Sequence, residues 1–427
     1  MHLLPLLALP LLASALPLSH SSQSKPHHPR TGSSIPLSKT FTLTLPSGLL
    51  NLNGLLTQLS YLNTKYSPPG SLGLGLDTSK LEAKTGLGAR GRKGRRQNGQ
   101  EGGVGMTDYK DLMWYGPVSV GSEGQTFMLD FDTGSADMFL AGSTCPNCGN
   151  HTLYNPSSSS TSTPTSQNFT LKYGDGSQAT GMIYRDTVTI GGMTAQQQAV
   201  GAASYETGSF SRDVTSGLLG LAYPSLSAFN DTPFFSTLMA QGTPDSGVFA
   251  FKLSDTGSEL WLGGSDAPFV QGPIDWTPVT KQKYWEVGVD ALRVGYEDTA
   301  AGNFSAIIDT GTTLVIGDSA RVGAFYALIP GAKEDASVGS GFYSFPCNAS
   351  LPGITLEFAN ASQGRPWEID PEMFNLGPVR TGSSDCLGGI VSQGNYPFWI
   401  VGDVFLKGKS VLFDMDRNRF GVAGIVQ

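Results

Sequence analysis

An all-β protein carrying one structural unit twice is the fold class this sequence predicts, on three observations. Of its 427 residues 55 are glycine and only 15% are charged, and this Ser/Thr-rich texture favours strands and turns over helices. The chain is long enough for a leader and two domains, each with its own core. Finally, Phe127-Met-Leu-Asp-Phe-Asp132-Thr133-Gly134-Ser135 and Ser305-Ala-Ile-Ile-Asp309-Thr310-Gly311-Thr312 are both apolar, β-prone runs closed by Asp-Thr-Gly and a hydroxyl residue.

Each unit sets a carboxylate at the end of a buried strand. Gly134 and Gly311 lack a Cβ, so backbone N–H groups can approach the carboxylate closely. Thr133, Thr310, Ser135 and Thr312 supply hydroxyls that can fix carboxylate oxygens or the opposite loop. Two such loops facing one another bring Asp132 and Asp309 into contact. At about 3 Å and an effective dielectric near 20, like charges repel by roughly 5 kcal/mol, which is about four pKa units. Such a pair keeps one proton over a wide acid range, and its pKa values belong to the pair. The carboxylate can take a proton from water while the carboxylic acid polarises a carbonyl, which is hydrolysis without a covalent intermediate.

In chain order, residues 1–16 form an apolar run ending in Ala13, Ser14 and Ala15, as a secretory signal does, while Pro5 and Pro10 speak against a membrane span. No other stretch is suited to cross a bilayer and the final FGVAGIVQ has no anchor character, so a soluble product without a membrane anchor is expected. Residues 17–96 read as a basic leader ending in Arg90-Gly-Arg92-Lys93-Gly-Arg95-Arg96. Residues 1–96 hold eleven Lys and Arg against Asp77 and Glu82, so the chain's 27 basic and 35 acidic residues leave 16 and 33 beyond them, a net charge of −17. A basic leader on an acidic body is held partly by charge and loosened by acid, and the acidic body argues against nucleic acid as a partner. Arg95-Arg96 resembles a kexin-type processing site.

Four cysteines behind a signal allow three pairings, of which the nearest-neighbour set is expected: Cys145 with Cys148 and Cys347 with Cys386. Cys145-Pro-Asn-Cys148 also has redox or zinc spacing, but a secreted context without a second ligand pair favours a structural clip. The five histidines are His2, His20, His27, His28 and His151, so only His151 lies beyond the leader, in the sequon Asn150-His151-Thr152 and hence on an expected exposed loop. A Ser-His-Asp triad, a Cys-His pair and a two-His zinc site all lack parts, and neither metal nor cofactor is expected. Hydrolysis here has to use carboxylates.

Beyond the leader, Leu112–Val120 and Gln125–Phe131 read as a hairpin turning at Gly121–Gly124. The low-complexity run Asn155–Ser166 reads as a surface loop, open to O-glycosylation. Asn168–Ile190 is strand, Gly-rich turn, strand, a hairpin whose tip Tyr173-Gly174-Asp175-Gly176-Ser177 can bend over a ligand. Gly217–Pro224 is apolar, Phe234–Gln241 and Ser319–Ile329 have helical spacing, and Trp261–Gly264, Ile274–Val279 and the run from Tyr284 are strand-like. Phe398–Leu406 is expected to be a buried strand that serves Asp309 as Gly217–Leu221 serves Asp132, with a glycine at a close backbone crossing. Further sequons start at Asn168, Asn230, Asn303, Asn348 and Asn360, which suits a secreted glycoprotein, though Asn303 is close to the second catalytic strand.

From about Asp108 onward the chain resembles the pepsin-like aspartic proteases, particularly their secreted fungal branch. The resemblance rests on both Asp-Thr-Gly elements, Tyr173–Ser177, Gly217-Leu-Leu-Gly-Leu-Ala-Tyr-Pro224, Tyr284-Trp285 and Gly402-Asp403, in that order. It implies a bilobal β fold, lobes at 107–275 and 276–427, and an active-site cleft between them. Asp132 and Asp309 then share the catalytic water, Gly134 and Gly311 line the pair, Ser135 and Thr312 bond its outer oxygens, and Tyr173 is the flap tyrosine. Gly174, Asp175, Asp130 and Tyr284 fall on the substrate side, with Asp175 matching a flap acid that accepts Lys beside the scissile bond in some fungal members. Residues 17–96 become a propeptide, in which Asn63-Thr-Lys65-Tyr66 resembles the Lys-Tyr element that plugs the pair in family zymogens. Protein or peptide substrates, the propeptide as inhibitor, pepstatin-type inhibitors and a monomer follow from the likeness, with secretion expected and a vacuolar destination as the alternative.

One position departs from the pattern: Phe139 stands where most relatives carry a Trp whose indole N–H serves the flap tyrosine. Rival readings are a catalytically inactive pepsin-like binding protein, whose usual marks of a lost Asp or broken Asp-Thr-Gly are absent, and a glycosylated structural surface protein, which leaves the duplicated acids unexplained.

Overall fold

The strands that end in the two Asp-Thr-Gly turns lie inside their sheets, where their apolar residues Phe127, Leu129 and Phe131 and Ala306, Ile307 and Ile308 are fully buried. Gln125–Asp132 lies in an eight-stranded sheet in the order Ser38–Lys39, Trp114–Val120, Gln125–Asp132, Gly217–Gly220, Met138–Ala141, Met193–Glu206, Gln178–Ile190, Thr163–Lys172. The protein is described by a computed structural model covering residues 32–39, 49–52, 54, 55, 59, 62, 65, 66, 114–172, 178–206, 210–212, 214–254, 257–295, 298–393 and 396–426. The described residues all fall in one compact unit.

A thirteen-stranded sheet carries the second unit. It runs from Ser33–Pro36 through Glu259–Leu262, Val248–Lys252, Ser410–Asp414, Arg419–Ile425 and Val270–Gln282. It continues into Trp285–Val294, Asp298–Ile308, Trp399–Val401, Val315–Gly317 and Ile390–Ser392. A four-stranded sheet, which includes Tyr343–Pro346 and Asp385–Gly388, is stapled by the Cys347–Cys386 disulfide; Cys145–Cys148 forms the other bridge, so the nearest-neighbour pairing is correct.

The duplication extends to register. Gly217–Gly220 runs parallel to the first unit with Gly220 opposite Asp132, and Trp399–Val401 runs parallel to the second with Val401 opposite Ile308. In both halves a glycine permits the crossing: a Cβ on Gly220 would lie 2.5 Å from Ala136 N, and one on Gly402 would lie 2.0 Å from Thr312 O.

An aromatic layer joins the halves. Trp285 is fully buried, 4.9 Å from Phe413 and 4.7 Å from Tyr223 between ring centroids, and its indole N–H donates to Leu221 O at 3.1 Å. Phe249 stacks on Phe413 at 4.9 Å. Full burial of a ring of this size contributes on the order of 2–3 kcal/mol, and the indole bond keeps its polar atom satisfied.

The leader segment within the described residues is part of this architecture. Asn51 Oδ1 accepts from Gly54 N at 3.1 Å as a helix cap, and the helical residues Leu55, Leu59 and Leu62 put their side chains into the main core at 0% exposure.

Three sequence expectations are corrected. The Asn155–Ser166 run lies at the surface, as expected, but is not all loop: it holds a short 3-10 turn at Pro156–Ser158 and enters a strand at Thr163. The buried Asp186 fixes it, accepting from Tyr154, Ser159 and Thr161 hydroxyls at 2.7, 2.9 and 2.5 Å. Phe398–Leu406 is strand only at Trp399–Val401; after Gly402 the Asp403 and Val404 N–H groups turn to Thr312 O and Thr313 O, both at 2.8 Å, and Asp403–Leu406 closes a helical turn. The His151 side chain is buried rather than exposed, 3.7 Å from Glu206, although Asn150 beside it is exposed.

Candidate active site

The two turns interlock through their threonines. Thr133 N donates to Thr310 Oγ1 at 3.1 Å and Thr310 N to Thr133 Oγ1 at 3.0 Å. Each hydroxyl then donates onward, Thr133 to Ile308 O at 3.0 Å and Thr310 to Phe131 O at 2.8 Å. All of these atoms are buried, so each bond also avoids an unsatisfied polar group. The two carboxylates are thereby held at one place.

Asp132 and Asp309 are both 0% exposed. Asp132 Oδ1 accepts from Gly134 N at 2.8 Å and Asp309 Oδ1 from Gly311 N at 3.0 Å, the same bond in each half. A Cβ at Gly134 would stand 2.6 Å from Asp309 Oδ1, and one at Gly311 2.7 Å from Asp132 Oδ1, so each glycine leaves room for the opposite acid. Thr312 Oγ1 donates to Asp309 Oδ2. Ser135 occupies the matching place and is near enough to Asp132 to help lower its pKa, without a formed hydrogen bond.

The Lys65 ammonium lies between the acids, 2.6 Å from Asp132 Oδ1 and 3.0 Å from each Asp309 oxygen, and its side chain is 3% exposed. Tyr66 OH donates to Asp309 Oδ2 at 2.6 Å. The Tyr66 ring is 5.3 Å from Tyr284 and 6.0 Å from Phe398, and Tyr396 stacks on Phe398 at 5.7 Å.

These contacts set the protonation states apart. Burial pushes the Asp132 carboxyl up; the Lys65 cation opposes the rise and Asp309 adds to it. Burial acts on Asp309 too, but Lys65 and the hydroxyls of Thr312 and Tyr66 outweigh it and hold that carboxyl below its usual range. Burial disfavours the Lys65 cation, yet the two acids hold its pKa above the ordinary lysine value. With the ammonium withdrawn, the same cage holds two facing acids, one able to accept and one able to donate a proton.

Among the other predicted residues, Tyr284 is at the site, and Asp130 is buried two residues before Asp132 on the same strand. Tyr173, Gly174 and Asp175, like Arg95, Arg96 and residues 1–16, lie outside the described residues. Asn150, Asn168, Asn230, Asn303, Asn348 and Asn360 are all exposed. Phe139 is fully buried in an apolar cluster with residues of the strands Thr163–Lys172 and Gln178–Ile190, 5.2 Å from Phe210 and 6.4 Å from Phe169.

Sequence reasoning missed Phe398 and Tyr396 as the aromatic wall around Tyr66; their place before Gly402-Asp403 was the available signal. It also missed Asp137, whose carboxylate receives Ser227 Oγ at 2.6 Å, Ala228 N at 2.7 Å and Phe229 N at 3.2 Å, tying a loop behind the first catalytic turn. An acid five residues after Asp132 has no counterpart after Asp309, where Leu314 stands.

Two interlocked Asp-Thr-Gly turns on a duplicated β framework define an aspartic-type hydrolase. The model of the eukaryotic aspartyl protease family matches residues 113–425, and the chain belongs to that family. It is 41% identical over 326 residues to an aspartic protease of Phaffia rhodozyma, covering 75% of this chain and 78% of that one. Aspergillopepsin-1 of Aspergillus fumigatus is 38% identical over 321 residues, 73% of this chain and 78% of its own. Pepsin A of Sus scrofa is 34% identical over 329 residues, 75% of this chain and 83% of its own. The protein is an aspartic-type endopeptidase with the bilobal, β-rich pepsin-like fold.

Proposed function

We propose that this protein is an acid-active endopeptidase made as an inactive precursor, in which Asp132 and Asp309 activate water for attack on an internal peptide bond. The carrying observation is the Lys65 ammonium between the two carboxylates, with the Tyr66 hydroxyl on Asp309. In that position the leader's cation displaces the attacking water and neutralises the acids. Acid protonates the pair and weakens the hold, after which cleavage at Arg95-Arg96 makes release permanent.

In this reading residues 1–16 are a signal, 17–96 the propeptide, and 107–275 and 276–427 the catalytic lobes of a secreted, glycosylated monomer. Thr133, Gly134, Ser135, Thr310, Gly311 and Thr312 hold the pair, Tyr173 closes over the substrate, and Tyr284 lines the cleft. With Asp175 on the flap, cleavage follows Lys as well as bulky apolar residues; equal rates on peptides carrying Lys and Gln at that position would refute this preference.

The test is digestion of an unfolded protein near pH 3 to 5 by full-length and leader-free enzyme, with and without pepstatin, beside Asp132→Asn. Pepstatin-sensitive activity that the leader-free wild type shows at once, and the full-length chain only after a lag in which its leader is cut, supports the reading. Equal activity of the intact precursor, or survival of activity in Asp132→Asn, refutes it.

A further inference from the structure

The hairpin between Val270–Gln282 and Trp285–Val294 has a two-residue tip, Lys283 and Tyr284. Ser225 Oγ donates to Gln282 O at 2.5 Å and Lys283 N to Lys281 O at 2.9 Å, so the tip is tied to the segment after Tyr223. Tyr284 reaches the aromatic pocket, 5.3 Å from Tyr66 and 6.0 Å from Phe398, and its hydroxyl is near enough to Lys65, Asp309 and Asp132 to feel their charges. Lys283 Nζ is 5.7 Å from the Tyr284 ring centroid and the residue is exposed. The cation therefore stands at the rim of the pocket on a braced turn. Of the other charges on this hairpin, Glu286 is engaged by Ser305 Oγ at 2.7 Å and pairs in register with Lys281.

We propose that Lys283 is a specificity residue: it favours acidic and disfavours basic substrate side chains beside the residue that fills the pocket now holding the Tyr66 ring. With one proton shared between them, Asp132 and Asp309 leave a net negative charge at the centre of the cleft, which by itself attracts basic side chains. A single positive charge at one rim opposes that attraction there and biases the register in which a charged peptide lies. For a solvent-exposed charge the discrimination is about three- to tenfold, and salt reduces it.

The inference rests on reading the cleft as the peptide-binding site, and the experiment separates the two. Leader-free enzyme is assayed on quenched fluorescent peptides with one fixed aromatic residue and Glu, Gln or Lys at each neighbouring position in turn. The assay is run near pH 5, where most free Glu side chains are ionised. Wild type is expected to prefer Glu to Lys about three- to tenfold in kcat/KM at one such position, Lys283→Met to erase the ratio, and Lys283→Glu to invert it. Because each ratio is taken within one enzyme, a general loss from misfolding cancels. An unchanged ratio in both variants overturns the proposal, as does an equal fall on all three peptides, which would make Lys283 only a support for Tyr284. Failure of every enzyme to cut the neutral Gln peptide overturns the reading of the cleft itself, and the inference with it.

Discussion

Thr133 and Thr310 are each other's backbone partner: each hydroxyl accepts the other's N–H, at 3.0 and 3.1 Å, and donates to the carbonyl two residues before the other. Thr310→Val keeps the shape but strands Thr133 N and Phe131 O. Leaving buried groups unsatisfied costs about 1–3 kcal/mol each, so a substantially lower denaturation midpoint is expected together with impaired turnover. Parallel urea melts and kcat measurements check this; a stable, fully active Thr310→Val protein would mean the interlock is dispensable.

Asp132→Asn and Asp309→Asn preserve size while removing a titrating group. Each is expected to lower kcat by at least about 10³-fold, within the upper range for general acid–base catalysis, with folding retained by circular dichroism. Loss in only one variant would contradict the shared-proton arrangement.

On the proposed precursor mechanism, the leader's hold depends on pH through the acids that Lys65 faces. Asp309 is held below its ordinary range by Lys65, Thr312 and Tyr66 despite burial. Its stabilising contribution is therefore complete above the unfolded carboxylate value of about 3.9 and is lost as pH falls through the depressed folded value. Lys65→Met removes the counter-charge, so the full-length variant is expected to cut a reporter peptide at least one pH unit above the point where the wild-type precursor first becomes active. Identical pH–activation curves would show that Lys65 is not the lock.

Cys347 and Cys386 close a loop of sequence separation 39, whereas Cys145 and Cys148 are 3 apart. In the loop-entropy description the longer bridge contributes about 4 kcal/mol and the shorter about 2. Replacing each pair with alanines and comparing calorimetric melts is expected to show the larger drop for the Cys347–Cys386 variant.

Phe139 is fully buried, at 0% exposure, beside Phe169 and Phe210. Phe139→Trp adds a ring to a packed cluster and is expected to destabilise by about 1–3 kcal/mol rather than improve turnover. Higher kcat with an unchanged melting temperature would show that an indole donor at this position serves the flap.

The site was legible in the sequence where chemistry and chain coincide. Asp-Thr-Gly after an apolar run specifies strand, turn and acid within four residues, and its recurrence at Asp309 specifies that two acids meet. Contacts between distant segments were not legible. Asp186 gathers hydroxyls from Tyr154, Ser159 and Thr161, so a run that reads as featureless loop is held by an acid more than twenty residues later. His151 looked exposed because its sequon is a local signal, whereas its burial depends on Glu206 at the end of a strand. Phe398–Leu406 looked like one strand because apolarity is silent about where N–H groups point, and those of Asp403 and Val404 turn to the second catalytic loop.

Ser33–Pro36 lies along Glu259–Leu262 as an added border strand, with Ile35 sunk into the core at 2% exposure. On the proposed maturation, removal of residues 17–96 would take this strand away, leaving the outer edge of Glu259–Leu262 without that partner and uncovering the socket of Ile35. A sheet edge uncovered in that way is a template for another strand, from the chain's own new amino-terminal segment or from a second molecule.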